Sequence, residues 1–268
     1  MPQIDPTARI ADGARIAADA VIGPYCTVGP QVELDAGVRL VSHVNVAGVT
    51  RVGARTVVAP FASLGTAPQS VKYRGGPTQL VIGADCDIRE HVTMNTGTED
   101  DGGLTEVGDK CLIMVGSHVG HDCKIGNNVI FANNVLLGGH VTIGDNVNFG
   151  GMVAVRQFVR IGAGAMIVGM SGVRADVIPW GMAYGHLANL VGLNIIGMKR
   201  RGISRADIHT LRRAYDALFF GEGSFRERFD RLAAGKNAPL VESVVAFIRA
   251  GTRPLTMAIR RAEADEES

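Results

Sequence analysis

Large apolar residues recur at every sixth position through the first part of the chain. The series starts at Ile4 and runs through Ile10, Ile16, Ile22, Val28, Leu34, Leu40, Val46, Val52 and Val58 to Leu64 without a miss. It returns in the same phase at Ile82, Ile88 and Met94. After a shift of one residue it continues as Val107, Ile113, Val119, Ile125, Phe131, Leu137, Ile143, Phe149, Val155, Ile161, Ile167 and Val173. Four residues after the large positions stands a small or β-branched class: Ala8, Ala14, Ala20, Cys26, Val32, Val38, Val44, Thr50, Thr56 and Ala62, then Cys111, Ser117, Cys123, Val129, Val135 and Val141. A six-residue period matches neither an α-helix nor a heptad, and it is too short for helix-loop units. It predicts a parallel β-helix of short strands and turns over residues 1–185, with backbones paired to the coils above and below. Cys26, Cys86, Cys111 and Cys123 all fall in the small inward class, which predicts packed core thiols rather than disulfides, ligands or nucleophiles.

Two stretches interrupt the period, "GTAPQSVKYRGGPTQ" (65–79) and "GTEDDGGLTE" (97–106). Their glycine, proline and charge predict loops projecting from a rigid prism, where binding residues tend to sit. Beyond residue 185 the pattern turns helical, predicting a C-terminal α-helical domain over 186–268. "SRAD" (204–207) is a capping-box pattern ahead of Ile208, Leu211, Tyr215 and Leu218 on one face; "SFRE" (224–227) opens a second helix and "APLVESVVAFIRAG" a third. The tail "RAEADEES" is expected to fray.

Composition narrows the function classes. The chain has 27 basic and 26 acidic residues, so no global field draws nucleic acid or a membrane surface, and any charged partner must meet a local patch. Its 35 glycines and 5% aromatics suit many tight turns. The N-terminus lacks the apolar core of a signal peptide, and no window approaches a membrane span, so no stable membrane insertion and a cytoplasmic location are expected.

The densest candidate chemistry is "SHVGHDC" (117–123). With one hexapeptide per face of a triangular prism, residues eighteen apart stack. His121, Gly139 and Gln157 then form one column, with Asp122, His140 and Phe158 beside it. A residue without a side chain above an imidazole, near backbone N–H groups, suits an oxyanion site. Three histidines in two coils could also bind zinc, as in a γ-carbonic-anhydrase-like hydratase on such a fold, although the "HVGH" spacing departs from that class. His43, His91, His186 and His209 read as surface histidines.

Beyond the repeat, "SHVGHDC", "LLGGHVTIGD", "GGMVAVRQFV", "SGVRADVIPW", "SVKYRGGPT" and "GLNIIGMKRRGISR" occur in an order that resembles the UDP-N-acetylglucosamine 3-O-acyltransferase family of lipid A synthesis. The likeness is collinear over nearly the whole chain. It implies a left-handed β-helix and transfer of a 3-hydroxyacyl chain from acyl carrier protein to the 3-position of UDP-GlcNAc. It implies no cofactor, no metal and a cytoplasmic homotrimer with sites between subunits.

By motif position the resemblance makes His121 the general base and Gly139 N–H the oxyanion donor. Asp122 orients His121, a weaker role because adjacent strand residues point apart. Sugar-nucleotide contacts fall on Lys72, His118, His140, Gln157, Asn194, Arg200 and Arg201. Lys199, Arg205, Arg212 and Arg213 are candidates to dock the acidic carrier protein. Gly169, with Met170 and Leu187 nearby, matches the acyl-chain ruler, where glycine leaves room for longer chains. Ser70, Asn95, Arg156 and the "GHLA" stretch (185–188) depart from the family pattern near the sugar and acyl positions, which leaves a 3-amino sugar open as acceptor.

Overall fold

Each hexapeptide yields one short strand whose last residue points inward and whose neighbour points out. In His118–Val119, for example, Val119 is buried while His118 is half-buried on the outer face. The strand pairs in parallel with Thr93–Asn95 on one side and Leu136–Leu137 on the other. Pairing partners are eighteen residues apart in the uninterrupted coils, as in Leu136↔Ala154 and Ala154↔Gly172, and sixteen apart in the last coil, at Met166↔Met182. The insertions stretch this to thirty residues at Val57↔Asp87 and twenty-five at Asp87↔Leu112.

The computed structural model describes residues 1–259 and forms a left-handed parallel β-helix followed by helices. The tail expected to fray lies outside the described residues. Three sheets make the prism: a first of 11 strands beginning at Gln3–Ile4, a second of 9 beginning at Arg9–Ile10, and a third of 8 beginning at Arg15–Ile16. One continuous apolar core fills it, with Leu40, Leu64, Ile88, Ile113, Phe131 and Ile167 at or below 1% exposure.

The corners turn through residues in the left-handed region, including Tyr25 (φ 58°), Phe61 (φ 66°), Asp122 (φ 59°), His140 (φ 62°) and Trp180 (φ 61°). The N–H of such a corner residue pairs with the coil above, as His140 N–H does with His121 O (2.8 Å). The residue just before it needs no ladder donor, and proline fills that place at Pro24, Pro60 and Pro179.

All four cysteines are buried and unpaired. Burial pushes the Cys123 thiol up to about 12. Its Sγ–H donates to Gly138 O (3.2 Å), so it stays protonated and inert at neutral pH.

The second interruption is shorter than its sequence suggests. Leu104–Val107 is already a strand paired with Gln79–Ile82, because Leu104 to Glu106 repeat the pairing of the coil before. The first sheet runs past residue 185 through an antiparallel hairpin, Gly181–Tyr184 with Asn189–Leu193.

Among the described residues four helices follow: α1 (Ile195–Arg200), α2 (Arg205–Phe220), α3 (Phe225–Ala234) and α4 (Pro239–Arg249). Ser204 caps α2 by accepting from Asp207 N–H. Ser224 and Glu227 form the full reciprocal capping box of α3. Helix α2 buries Ile208, Leu211, Tyr215, Leu218 and Phe219. A partly buried ion pair, Arg160 Nε to the buried Asp176 Oδ2 at 2.7 Å, fastens the last coil, while Arg160 also donates to Phe247 O of α4 (3.1 Å). Among the described residues, no helix is long and apolar enough to cross a membrane.

Candidate active site

Both insertions and the histidine motif share one edge of the prism. The first loop leaves the second sheet after Thr66 and enters the third at Gln79; the other leaves after Asn95 and enters at Leu104. His121 and Asp122 turn the same edge between His118–Val119 and Lys124–Ile125 in the next coil. His140 and Phe158 follow below. The register of an eighteen-residue coil thus delivers two loops and the side chains of His121, Asp122 and His140 to one corner.

His121 Nδ1 lies 2.8 Å from Asp122 Oδ2. An ionised carboxylate only accepts, so Nδ1 carries the proton and Nε2 keeps its lone pair. Alternation along a strand predicts that neighbours point apart, yet His121 and Asp122 face each other. They lie in the turn, where the left-handed backbone of Asp122 swings its carboxylate back over the imidazole.

Asp122 is 5% exposed and also accepts from Thr98 N–H (2.8 Å to Oδ1) and the Thr98 hydroxyl (2.7 Å to Oδ2). Its own N–H donates to Thr105 Oγ1 (2.8 Å). This fixed acceptor sets both the tautomer and the orientation of His121. Thr98 and Thr105 escape sequence reasoning because their partner is reached through the coil, twenty-four and seventeen residues away.

Gly139 lies against the His121 ring. A Cβ built there would meet His121 Cε1 at 2.5 Å, Nε2 at 2.6 Å and Nδ1 at 2.9 Å. The absent side chain therefore makes room for the imidazole itself. Gly139 also occupies the place before a left-handed corner residue, where the fold supplies no acceptor: among the described residues nothing takes its N–H, while its carbonyl accepts from Phe158 N–H (3.0 Å). A free donor beside a neutral base can stabilise a negative oxygen.

His140 meets His121 edge-on (centroids 4.9 Å, 90°) and stacks on Phe158 (4.3 Å, 8°). Arg253, from the C-terminal segment, places its guanidinium 5.7 Å from the Phe158 ring centroid, a neighbour that periodicity cannot reveal. His118 sits one face away on the second sheet, its Nδ1 2.8 Å from Thr93 Oγ1. Burial, with His121 adding repulsion, holds His118 below the usual histidine pKa, so it is neutral at pH 7. Gln157 is exposed beside Phe158, and Lys72 is exposed in the first loop, its N–H 3.3 Å from Ser70 Oγ.

His121, Asp122 and His140 are the one cluster among the described residues with three potential metal-ligand atoms, all within 4.8 Å. The donor set argues for the dyad instead, because three hydrogen bonds already occupy the Asp122 carboxylate.

Other expected site residues lie elsewhere. Asn194, Arg200 and Arg212 line a cavity of about 1090 Å³ between the outer face of the first sheet (Asn148, Met166) and α1–α2. Asn194 is 7% exposed and spends its amide locally, donating to Gly164 O (2.9 Å) and capping α1 by accepting from Gly197 N–H (2.9 Å). Arg201 caps the other end of α1 through its backbone. Gly169 and Met170 turn the corner between the first and second sheets; Met170 is 68% exposed, as is half of Leu187 in the nearby hairpin turn.

Of the departures from the family pattern, Asn95 has a structural task. It is 3% exposed and donates to Thr66 Oγ1 and Ala67 O (3.0 Å each), pinning the root of the first loop.

The chain is similar to known proteins over most of its length. Residues 176–256 match the family model described as "Udp N-acetylglucosamine O-acyltransferase; Domain 2", and residues 105–139 match the bacterial transferase hexapeptide model. The acyl-[acyl-carrier-protein]–UDP-N-acetylglucosamine O-acyltransferase of Azorhizobium caulinodans is 59% identical over 249 residues, 92% of each chain. The protein of the same name from Rhizobium etli is 55% identical over 225 residues, 84% of this chain and 83% of that one. The structure of UDP-N-acetylglucosamine acyltransferase from Campylobacter jejuni superposes with a TM-score of 0.91 at 33% identity, covering 96% of this chain and all of the other. With this extent of identity and the same prism beneath it, the chain belongs to the UDP-N-acetylglucosamine O-acyltransferase family.

Proposed function

We propose that the chain transfers a 3-hydroxyacyl group from the phosphopantetheine thioester of acyl carrier protein to the glucosamine 3-hydroxyl of UDP-N-acetylglucosamine, the opening step of lipid A synthesis, in the cytoplasm and without a cofactor. The observation that carries this reading is the His121 imidazole, its Nδ1–H held by Asp122 and its ring against Gly139. His121 Nε2 takes the hydroxyl proton as the sugar oxygen attacks the thioester carbonyl. Gly139 N–H receives the oxyanion of the tetrahedral intermediate. Collapse breaks the carbon–sulfur bond, and the imidazolium returns the proton to the departing thiolate. Asp122 stabilises the imidazolium meanwhile.

The surface beside the dyad suits an acyl chain. Outward residues of the second sheet are polar in the early coils, where Thr27, Asn45 and Ser63 hydrogen-bond in a column. After His118 the same column becomes Leu136, Ala154 and Gly172. This apolar track leads toward Gly169, Met170 and Leu187, the proposed ruler.

Lys72, His118, His140 and Gln157 surround the dyad's edge and are proposed to bind the sugar nucleotide. Asn194, Arg200 and Arg201 belong to the first sheet's side of the same chain. They complete a site only if a neighbouring copy brings them to the corner, which supports a homotrimer with sites between subunits. Lys199, Arg205, Arg212 and Arg213 are exposed on α1 and α2 and are proposed to dock acyl carrier protein.

The test is a transfer assay pairing carrier-protein thioesters of several lengths with UDP-GlcNAc and its 3-amino analogue. An ester product on UDP-GlcNAc, with longer chains preferred, is expected. Acylation of the 3-amino sugar alone would overturn the acceptor assignment, and absence of transfer to either would overturn the activity.

A further inference from the structure

The two loops at the catalytic edge are tied to each other by one side chain. Glu99 Oε1 accepts from Gly76 N–H (2.6 Å) and Arg74 N–H (3.1 Å), both in the first loop and within four residues of Lys72. Gly76 is shaped to this contact: a Cβ there would meet Glu99 Cγ at 2.3 Å and Oε1 at 2.7 Å. The residue before Glu99 is Thr98, whose N–H and hydroxyl both bind Asp122. One dipeptide thus holds the catalytic carboxylate with its first residue and the lysine-bearing loop with its second.

We infer that Glu99 is a positioning residue, a latch that sets the first loop, and with it the Lys72 ammonium, at a fixed place relative to the His121–Asp122 dyad. The inference rests on the reading of Lys72 as a sugar-nucleotide contact and extends it to a residue that touches no substrate. The first loop has no regular structure between Thr66 and Gln79. Asn95 pins its first root, the Thr78 hydroxyl donates to Thr96 Oγ1 (2.9 Å) at its second root, and Glu99 holds the stretch between, beyond Lys72. Without the Glu99 contact, the lysine must be ordered by the substrate at each binding event, which weakens binding more than it slows the bound complex. The Glu99 carboxyl is held below the usual range by its own N–H and that of Gly76, so the latch is charged at neutral pH.

The test compares Glu99→Ala, Glu99→Gln and Gly76→Ala with Lys72→Ala in the full chain. Glu99→Ala is expected to raise KM for UDP-GlcNAc about tenfold while kcat stays within about threefold, with KM for the acyl donor unchanged. Hydrogen exchange at the Arg74 and Gly76 amides should accelerate in the same variant. Glu99→Gln keeps an acceptor oxygen and should recover most of the affinity. Gly76→Ala should resemble Glu99→Ala by displacing the carboxylate.

Unchanged exchange at Arg74 and Gly76 in Glu99→Ala overturns the latch. Faster exchange with KM unaltered, while Lys72→Ala raises KM, overturns the positioning role. If Lys72→Ala itself leaves KM unaltered, the inference falls with the reading of Lys72, a failure distinguishable because exchange still responds to Glu99.

Discussion

Gly139→Ala isolates the placement of the imidazole from other effects. Gly139 does not adopt a left-handed backbone, so alanine adds no conformational strain there. Its whole effect is the new methyl group, 2.5 Å from His121 Cε1 and 2.6 Å from Nε2, where ordinary contact begins at 3.4 Å. The ring must retreat by about 0.9 Å, and doing so pulls Nδ1 off the 2.8 Å bond to Asp122. A misplacement of about 1 Å in a catalytic group costs on the order of a hundredfold. At about 1.36 kcal/mol per decade, that is about 2.7 kcal/mol of transition-state stabilisation.

The assay is transfer from an acyl carrier protein thioester to UDP-GlcNAc under saturating substrate, repeated in a His121→Ala background with product quantified by mass spectrometry. The methyl group acts through the imidazole, so Gly139→Ala should cost about a hundredfold in the parent chain and almost nothing once the ring is gone. An equal loss in both backgrounds would refute the argument from ring displacement. So would full activity in the single variant.

Other consequences are independent. Asp122→Asn offers Nδ1 a donor in place of an acceptor, so the proton moves to Nε2 and kcat should fall at least about a hundredfold with the melting temperature nearly kept; retained kcat would show that the tautomer is immaterial. Native His118 resists protonation, so the unfolded chain binds more protons at that residue. Its contribution to stability is constant above the ordinary histidine value of 6.5, is lost as pH falls below it, and levels off under the lower native value; His118→Gln should flatten that part of a melting-temperature profile. Asp176→Ala strands the Arg160 guanidinium against α4 and should destabilise by about 3 kcal/mol, read as a drop of about 6–12 °C in Tm. A thiol reagent should label none of the four cysteines in the native protein and all four in denaturant; rapid native labelling would contradict their placement in the core.

The six-residue period made the β-helix legible, and with three hexapeptides to a coil it gave the register and the columns at the histidine edge; the left hand came from the family resemblance. The caps at Ser204 and Ser224 were legible from their local pattern. Helix α1 was not, since six residues carrying Gly197 show no apolar stripe, and its cap, Asn194, reads equally well as a ligand. Nor was the closeness of Asp122 to His121, which depends on a left-handed corner that strand alternation does not describe. Thr98 and Glu99 sit in an insertion where periodicity ends, and only the folded coil shows what they hold. The separation of Arg200 from His121 is a property of faces, and motif order along the chain carries no information about it.

The most direct test of the account is the single-turnover rate of acyl transfer by His121→Ala, measured with UDP-GlcNAc and an acyl carrier protein thioester alongside its melting curve. The account predicts a rate lower by about 10²- to 10⁴-fold with the melting temperature unchanged. A rate equal to that of the parent chain would contradict it.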